Sequence, residues 1–204
     1  MGPPDVHGLP RHALCHLPLC PLPSAIFLPP MPLHVVLHEP EIPNNTGNIG
    51  RTCVAAGCML HLIHPLGFDV DEKAVRRAGL DYWPRLRLAE HASWAAYLGA
   101  SPADAPPRRW FFTTHAARSL YDADIRPGDH LVFGKESSGL PRSLTDAAPD
   151  ACLRIPMAPN ERSLNLSTSV GVAVFEGIRQ LLARGDLALG PGLALSGPGS
   201  TPGA

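Results

Sequence analysis

The chain has 204 residues, 45% of them apolar and 17% charged, with a formal net charge of −1 at pH 7. That length suits one domain with a full hydrophobic core and is too short for two of ordinary size. The near-zero charge excludes a whole-surface electrostatic attraction to nucleic acid, so any RNA contact must come from a local patch.

The 24 prolines and 19 glycines exceed what a compact domain normally carries, and they collect at the ends. Residues 1–31 read as a disordered Pro-rich extension, residues 185–204 as a disordered Gly/Pro-rich tail, and residues 32–184 as the folded domain. Met31, followed by Pro32, could serve as the true or an alternative start. Leu17 to Leu28 is apolar, but Pro18, Pro21 and Pro23 break any helix through it, so neither a signal peptide nor a membrane span is expected. Five cysteines without paired spacing imply no disulfide framework, which points to reduced thiols and the cytoplasm.

Leu33 to His38 is short, β-branched and bounded by Pro32 and Pro40, the pattern of a buried strand. A helix is predicted from Gly47 to Ala56, closed by Gly57 at the C-cap, and a second strand from Met59 to His64. Asp71 to Ala78 reads as a short charged helix, with acids in its first turn and Arg76 and Arg77 near its end. Glu90 to Leu98 is predicted helical. Strands are expected over Trp110 to Thr114, His130 to Phe133 and Ala151 to Ile155, the second of these set up by the Pro127-Gly128-Asp129 turn. From Asn165 to Ala183 apolar residues recur at three- and four-residue spacing, giving the longest amphipathic helix. Alternating strands and helices predict an α/β domain with a mostly parallel sheet flanked by helices, whose ligands bind at the carboxyl ends of the strands.

Three of the loops at those ends carry chemistry. The first, Glu39 to Arg51, gathers Asn44, Asn45, Thr46 and Asn48 before an arginine one turn into its helix. Arginine offers a fork of donors suited to a phosphate oxygen, whereas Asn and Thr there are equally ordinary caps. The second, Phe133 to Pro141, contains Gly134-Lys135 directly after a strand. It is not a triphosphate loop, because Asp129 and Glu136 stand where that motif needs Gly and Ser or Thr. A glycine just after a strand instead lets a flat ligand lie against the backbone. The third, Ile155 to Ser167, is polar where a strand hands over to the long helix, and Ser163 or Asn165 suits an N-cap.

Taken together these segments resemble the three motifs of the SPOUT methyltransferases, in the TrmH-like group and its wobble-position tRNA branch. The resemblance rests on Glu39-Pro40-Glu41-Ile42-Pro43 with Asn45-Thr46-Gly47-Asn48-Ile49, on Arg76-Arg77-Ala78-Gly79-Leu80-Asp81-Tyr82, and on Phe133-Gly134 with Gly139-Leu140-Pro141. Ile155-Pro156-Met157 and Ser163-Leu164-Asn165-Leu166-Ser167 complete it. It spans about Leu33 to Leu182, and Lys135 and Ser138 depart from it.

The resemblance implies a C-terminal trefoil knot, a rare exception to unthreaded chains. It also implies S-adenosyl-L-methionine as methyl donor, without a metal, and 2′-O-methylation of position 34 of tRNA, a cytidine or uridine in leucine tRNAs. By position, Phe112, Gly134, Ile155, Met157, Ser163 and Leu164 would bind the cofactor. Arg51 and Asn165 would be catalytic, Asn165 as a brace and Arg51 at the adjacent phosphate. An arginine is too basic to accept the proton. Asn45, Arg51, Arg76, Arg77 and Arg162 would contact the anticodon stem-loop, with Tyr82 or Trp83 stacking on a splayed base. A homodimer is implied, with the long helix as a candidate interface. The alternatives are another RNA, such as ribosomal RNA, or a non-catalytic RNA-binding module. The loose set His12, Cys15, His16 and Cys20 lacks the ligand pairing of a zinc site.

Overall fold

The computed structural model describes residues 32–68 and 81–198. Strands β1 (Leu33–His38), β2 (Met59–Ile63), β3 (Arg87–His91), β4 (Arg109–Phe112), β5 (Asp129–Phe133) and β6 (Cys152–Leu153) form one sheet. Its order is β3-β2-β1-β5-β4-β6, and every neighbouring pair is parallel. The described helices are α1 (Pro43–Ala56), α2 (Trp94–Gly99), α3 (Arg142–Thr145) and α4 (Leu166–Arg184). The predicted helix at Asp71 to Ala78, with Arg76 and Arg77, lies outside the described residues.

Strands buried on both faces read as near-continuous apolar runs, and β1 and β5 fit this. Leu33, Val35 and Leu37 of β1 join Ile49 of α1 and Val170 and Val174 of α4 in the larger core. Val36, Val132 and Phe111 face the other way, where Tyr97 of α2 covers them. Gly57 ends α1 in the left-handed conformation, φ 68°, its amide bonded to the last turn, as the sequence predicts.

Three differences from the sequence reading have local causes. Helix α1 starts at Pro43 rather than Gly47, because proline's missing N–H costs nothing in a first turn. Glu90 and His91 are in a strand: β3 pairs with β2 from Met59↔Arg87 to Ile63↔His91. The helix waits for Ser93, whose side chain accepts from the Ala96 amide at 3.2 Å. Beyond Gly185 the chain does not trail away: Ala188–Leu189 and Leu195–Ser196 pair as an antiparallel hairpin, and Leu187 is buried against the larger core.

The turn before β5 is held by Asp129, 3% exposed. Its carboxylate accepts from Arg108 Nε and Nη2 (3.0 and 2.7 Å), Trp110 Nε1 (2.7 Å) and the Arg126 amide (2.9 Å). Asp129→Ala strands three donor groups around a buried hole. Breaking a buried charge pair costs about 3–5 kcal/mol, and the partial exposure of Arg108 places the expected loss near the lower end. Urea unfolding at neutral pH measures it.

Candidate active site

The carboxyl ends of β1, β4, β5 and β6 and the amino end of α4 enclose a cavity of about 600 Å³. Its walls come mainly from four chain segments: Phe112 to His115 at and after β4, Phe133 to Leu140 at and after β5, Ile155 and Met157 after β6, and Arg162 to Leu166 leading into α4, with Ile42, Asn45 and Arg142 adding to them. Phe112 and Phe133 stack at 4.5 Å at its base. All six residues expected at the cofactor, Phe112, Gly134, Ile155, Met157, Ser163 and Leu164, therefore line one space, together with Asn45, Arg162 and Asn165.

Gly134 is where the loop after β5 doubles back on itself. A Cβ there would lie 2.1 Å from the Gly139 carbonyl carbon and 2.2 Å from the Leu140 nitrogen, so no side chain fits. The return is closed by the Gly139 amide donating to the Lys135 carbonyl at 2.9 Å.

Because β1 and β5 are neighbours, their following loops emerge side by side and clamp each other. Glu136 accepts from the Glu41 and Ile42 amides at 2.8 and 3.2 Å, and Glu41 accepts from the Ser137 amide and hydroxyl at 3.0 and 2.9 Å. The Ser137 donors hold the Glu41 carboxyl below its ordinary range. Lys135 pairs with Glu39 at 2.6 Å, which raises the lysine above its ordinary value and neutralises a charge at the rim.

A second chain of bonds ties this clamp to α4. Asn45 donates to Glu136 at 3.0 Å and accepts from Asn165 Nδ2 at 2.9 Å. Asn165 Oδ1 caps α4, accepting from the Ser167 amide (2.9 Å), its hydroxyl (2.6 Å) and the Thr168 amide (3.4 Å). Asn165→Ala removes the cap and frees Asn45. A lost cap costs about 1 kcal/mol, so a thermal midpoint a few degrees lower is expected, together with a larger fractional loss of ligand affinity. Equal affinity would show that the bond to Asn45 does not shape the cavity.

Arg51 is not at the cavity. Its side chain is 61% exposed, lies 3.5 Å from Asp81 and covers the Tyr82 ring at 4.6 Å. Tyr82 is buried, with its hydroxyl bonded to the Gly47 carbonyl. It therefore has no free face for a base, and of the two stacking candidates Trp83 alone remains partly exposed. The sequence reading also missed Glu41, Glu136 and Ser137 as the clamp, and Thr113, His115, Arg142 and Arg154 in the walls. Opposed charges in Glu39 to Glu41 and Lys135 to Ser137 were a usable signal, but only strand adjacency gives it meaning.

A parallel α/β sheet with a cavity at its carboxyl edge, walled by a glycine turn and a helix start, is the arrangement in which such folds hold small ligands. The model of the SpoU rRNA Methylase family matches residues 32–175, and the chain belongs to that family. A tRNA (cytidine(34)-2'-O)-methyltransferase of Acidovorax sp. (strain JS42) is 50% identical over 148 residues, 72% of this chain and 91% of that protein. A structure solved for the 2-OH methylation of C/U34 on tRNA is 49% identical, with TM-score 0.70, over 76% of this chain and 99% of that one. An AdoMet-bound rRNA methyltransferase from Sinorhizobium meliloti is 28% identical with TM-score 0.65, over 76% of this chain and 59% of that one.

Proposed function

We propose that this chain methylates the ribose 2′-hydroxyl at position 34 of tRNA, on cytidine or uridine, with S-adenosyl-L-methionine as donor. The observation that carries it is the 50% identity with the Acidovorax tRNA (cytidine(34)-2'-O)-methyltransferase across 91% of that protein's length. Covering 99% of the tRNA-modifying structure but 59% of the rRNA methyltransferase favours tRNA over ribosomal RNA.

The cavity suits the donor: its volume falls within the range for small-molecule sites, and the absent side chain at Gly134 lets the Gly139–Leu140 main chain close the turn that walls it. Phe112, Gly134, Ile155, Met157, Ser163 and Leu164 are the residues that would hold it. The donor supplies an electrophilic methyl on a sulfonium. The protein's part is placement, for which orientation of two bound partners can contribute about 7–11 kcal/mol. Arg162 and Arg142 in the cavity wall offer donors to RNA phosphates. Arg76 and Arg77 are proposed as further RNA contacts, whereas Asn45, buried and bonded to Glu136 and Asn165, is proposed to hold the cavity wall.

Arg51 is proposed to act on the site of a second copy, binding the phosphate beside the target ribose. Its distance from its own cavity and its exposure support a homodimer. A trefoil knot belongs to the same reading. The connection between β4 and β5 lies on α4, where the Ile125 amide donates to Gln180 Oε1 at 2.9 Å and Arg184 reaches Asp124 at 3.1 Å. The chain arrives at that helix from β6, at the far edge of the sheet. Among the described residues no helix is long and apolar enough to cross a membrane, and a cytoplasmic tRNA-modifying role is the proposed setting.

The test is transfer of a tritiated methyl group from the donor to bulk tRNA, with the modified position mapped. A 2′-O-methyl at position 34 is the expected result. Label entering ribosomal RNA alone would replace this reading with the rRNA one, and binding of S-adenosylhomocysteine without transfer would point to a non-catalytic module.

A further inference from the structure

The sheet face covered by α2 carries a cluster of imidazoles that the cavity does not use. His34 on β1, His61 on β2 and His130 on β5 each present a ring nitrogen, all within 4.8 Å of one another. The fold assembles them: His34 is in register with His130 on one side, and His61 is on the strand at its other side. His61 and His130 are 7% and 6% exposed, and His34 is partly buried. His34 and His130 stand second in their strands, toward the amino-terminal edge of the sheet and away from the cavity.

Neighbours already engage the outward nitrogens. Tyr97 Oη is 2.6 Å from His130 Nδ1, and His91 Nε2 is 3.0 Å from His61 Nδ1. Nε2 of each of these two rings is thereby left as its inner nitrogen. His61 Nε2 lies 2.9 Å from His34 Nδ1, a distance at which two neutral rings must share a proton.

We propose that His34 Nδ1, His61 Nε2 and His130 Nε2 bind one divalent transition-metal ion of the zinc or copper class, with a water in a fourth position, as a structural tie across three strands. Zn–N bonds of about 2.0–2.1 Å in a tetrahedral arrangement set the nitrogens about 3.3 Å apart, so His34 and His61 need separate by only a few tenths of an ångström. The ion takes the place of the shared proton. Where that proton sits on His34 Nδ1 it moves to Nε2 of the same ring, where it sits on His61 Nε2 it moves to Nδ1 beside His91, and charge changes only by the ion added. His34 and His130 stack at 4.2 Å with planes 6° apart, so one ring must turn to aim its lone pair. His34, less buried, is free to do so.

Two further features fit a metal. Ligating histidines characteristically donate their other N–H to a fixed partner, and His91 and Tyr97 stand in those places. Burial, with neighbouring imidazoles adding to it, pushes His61 and His130 down to about 3, so both offer unprotonated nitrogens at neutral pH. The absence of a carboxylate among the three ligands disfavours Mg²⁺ and Ca²⁺. All-imidazole sets select zinc, copper or nickel.

The test uses the full chain stripped of metal and then given Zn²⁺ alone, and compares it with single variants so that any zinc taken up by Cys15, Cys20, His12 or His16 cancels. The wild type is expected to bind one more ion than His34→Asn or His130→Phe and to show a zinc-dependent rise in thermal midpoint that both variants lack. Binding of S-adenosylhomocysteine should be the same in all three. His91→Phe should weaken zinc binding by about 10–100-fold without abolishing it. Co²⁺ in the zinc site should give visible bands without thiolate-to-metal charge transfer. Equal ion stoichiometry and midpoint shift in the wild type and both variants would overturn the proposal, as would a thiolate spectrum that His34→Asn does not change. Since His34 is only partly buried, its variant remains informative if His130→Phe fails to fold.

Discussion

Gly134→Ala should abolish binding of S-adenosylhomocysteine in calorimetry and, with it, methyl transfer, while the protein stays folded. The atoms that a Cβ would meet, 2.1–2.3 Å away, are main-chain atoms of Gly139 and Leu140, and no side-chain rotation can relieve such a contact. The loop after β5 must open, and with it move Lys135, Glu136 and Ser137, which are bonded to Glu39, Glu41 and the start of α1. A loop displaced by even 1 Å forfeits several ligand contacts together, so a loss of at least about 100-fold, or roughly 2.7 kcal/mol, is expected. Gly139→Ala is the control. Its φ of 70° makes a side chain strained, but nothing lies within 4 Å of the added carbon. The cost is local, on the order of 1 kcal/mol, and binding should survive. Wild-type affinity in Gly134→Ala would mean that the ligand does not lie on this turn.

The parts of the molecule legible in the sequence are those whose cause is local. The β1 run and the apolar face of α4 are buried on faces that their own residues declare, and Gly57 occupies the one backbone conformation that ends α1. The cavity walls were legible for a different reason. Each lies directly after a strand or before a helix, so the parallel-sheet rule collects them without knowledge of strand order. What was illegible depends on that order. Strand β3 has only partly buried side chains, and its backbone is fixed by pairing with β2, not by its own pattern. The Glu41–Ser137 and Glu136–Asn45 bonds join residues more than 90 positions apart that meet only because β1 and β5 are adjacent. The imidazole cluster is hidden in the same way, its members distributed over three strands with no ligand spacing. Arg51 is the instructive case: its motif was readable, but the motif does not say in which copy's site the side chain acts.

That question has a decisive experiment. Arg51→Lys keeps a positive charge but loses the fork of donors that fixes a phosphate, so transfer should fall on the order of 100-fold, with affinity for S-adenosylhomocysteine unchanged because Arg51 is outside the cavity. Gly134→Ala should be inactive for the opposite reason, with Arg51 intact and no ligand bound. In the proposed homodimer, coexpression of the two variants under two affinity tags should give a mixed dimer that can be purified whole. If Arg51 serves the neighbouring site, one of the two sites in that dimer has an intact cavity from the Arg51→Lys copy and an intact arginine from the Gly134→Ala copy. The other has neither. Two-fold symmetry then sets the expected activity of the purified mixed dimer at about half that of the wild type, against a few per cent or less for either parent. If Arg51 acts within its own chain, each site in the mixed dimer is missing one part and no activity returns. The outcome separates a dimer that is merely stable from one that is required for chemistry, and it assigns the arginine, exposed over Tyr82 and outside its own cavity, to a site by function.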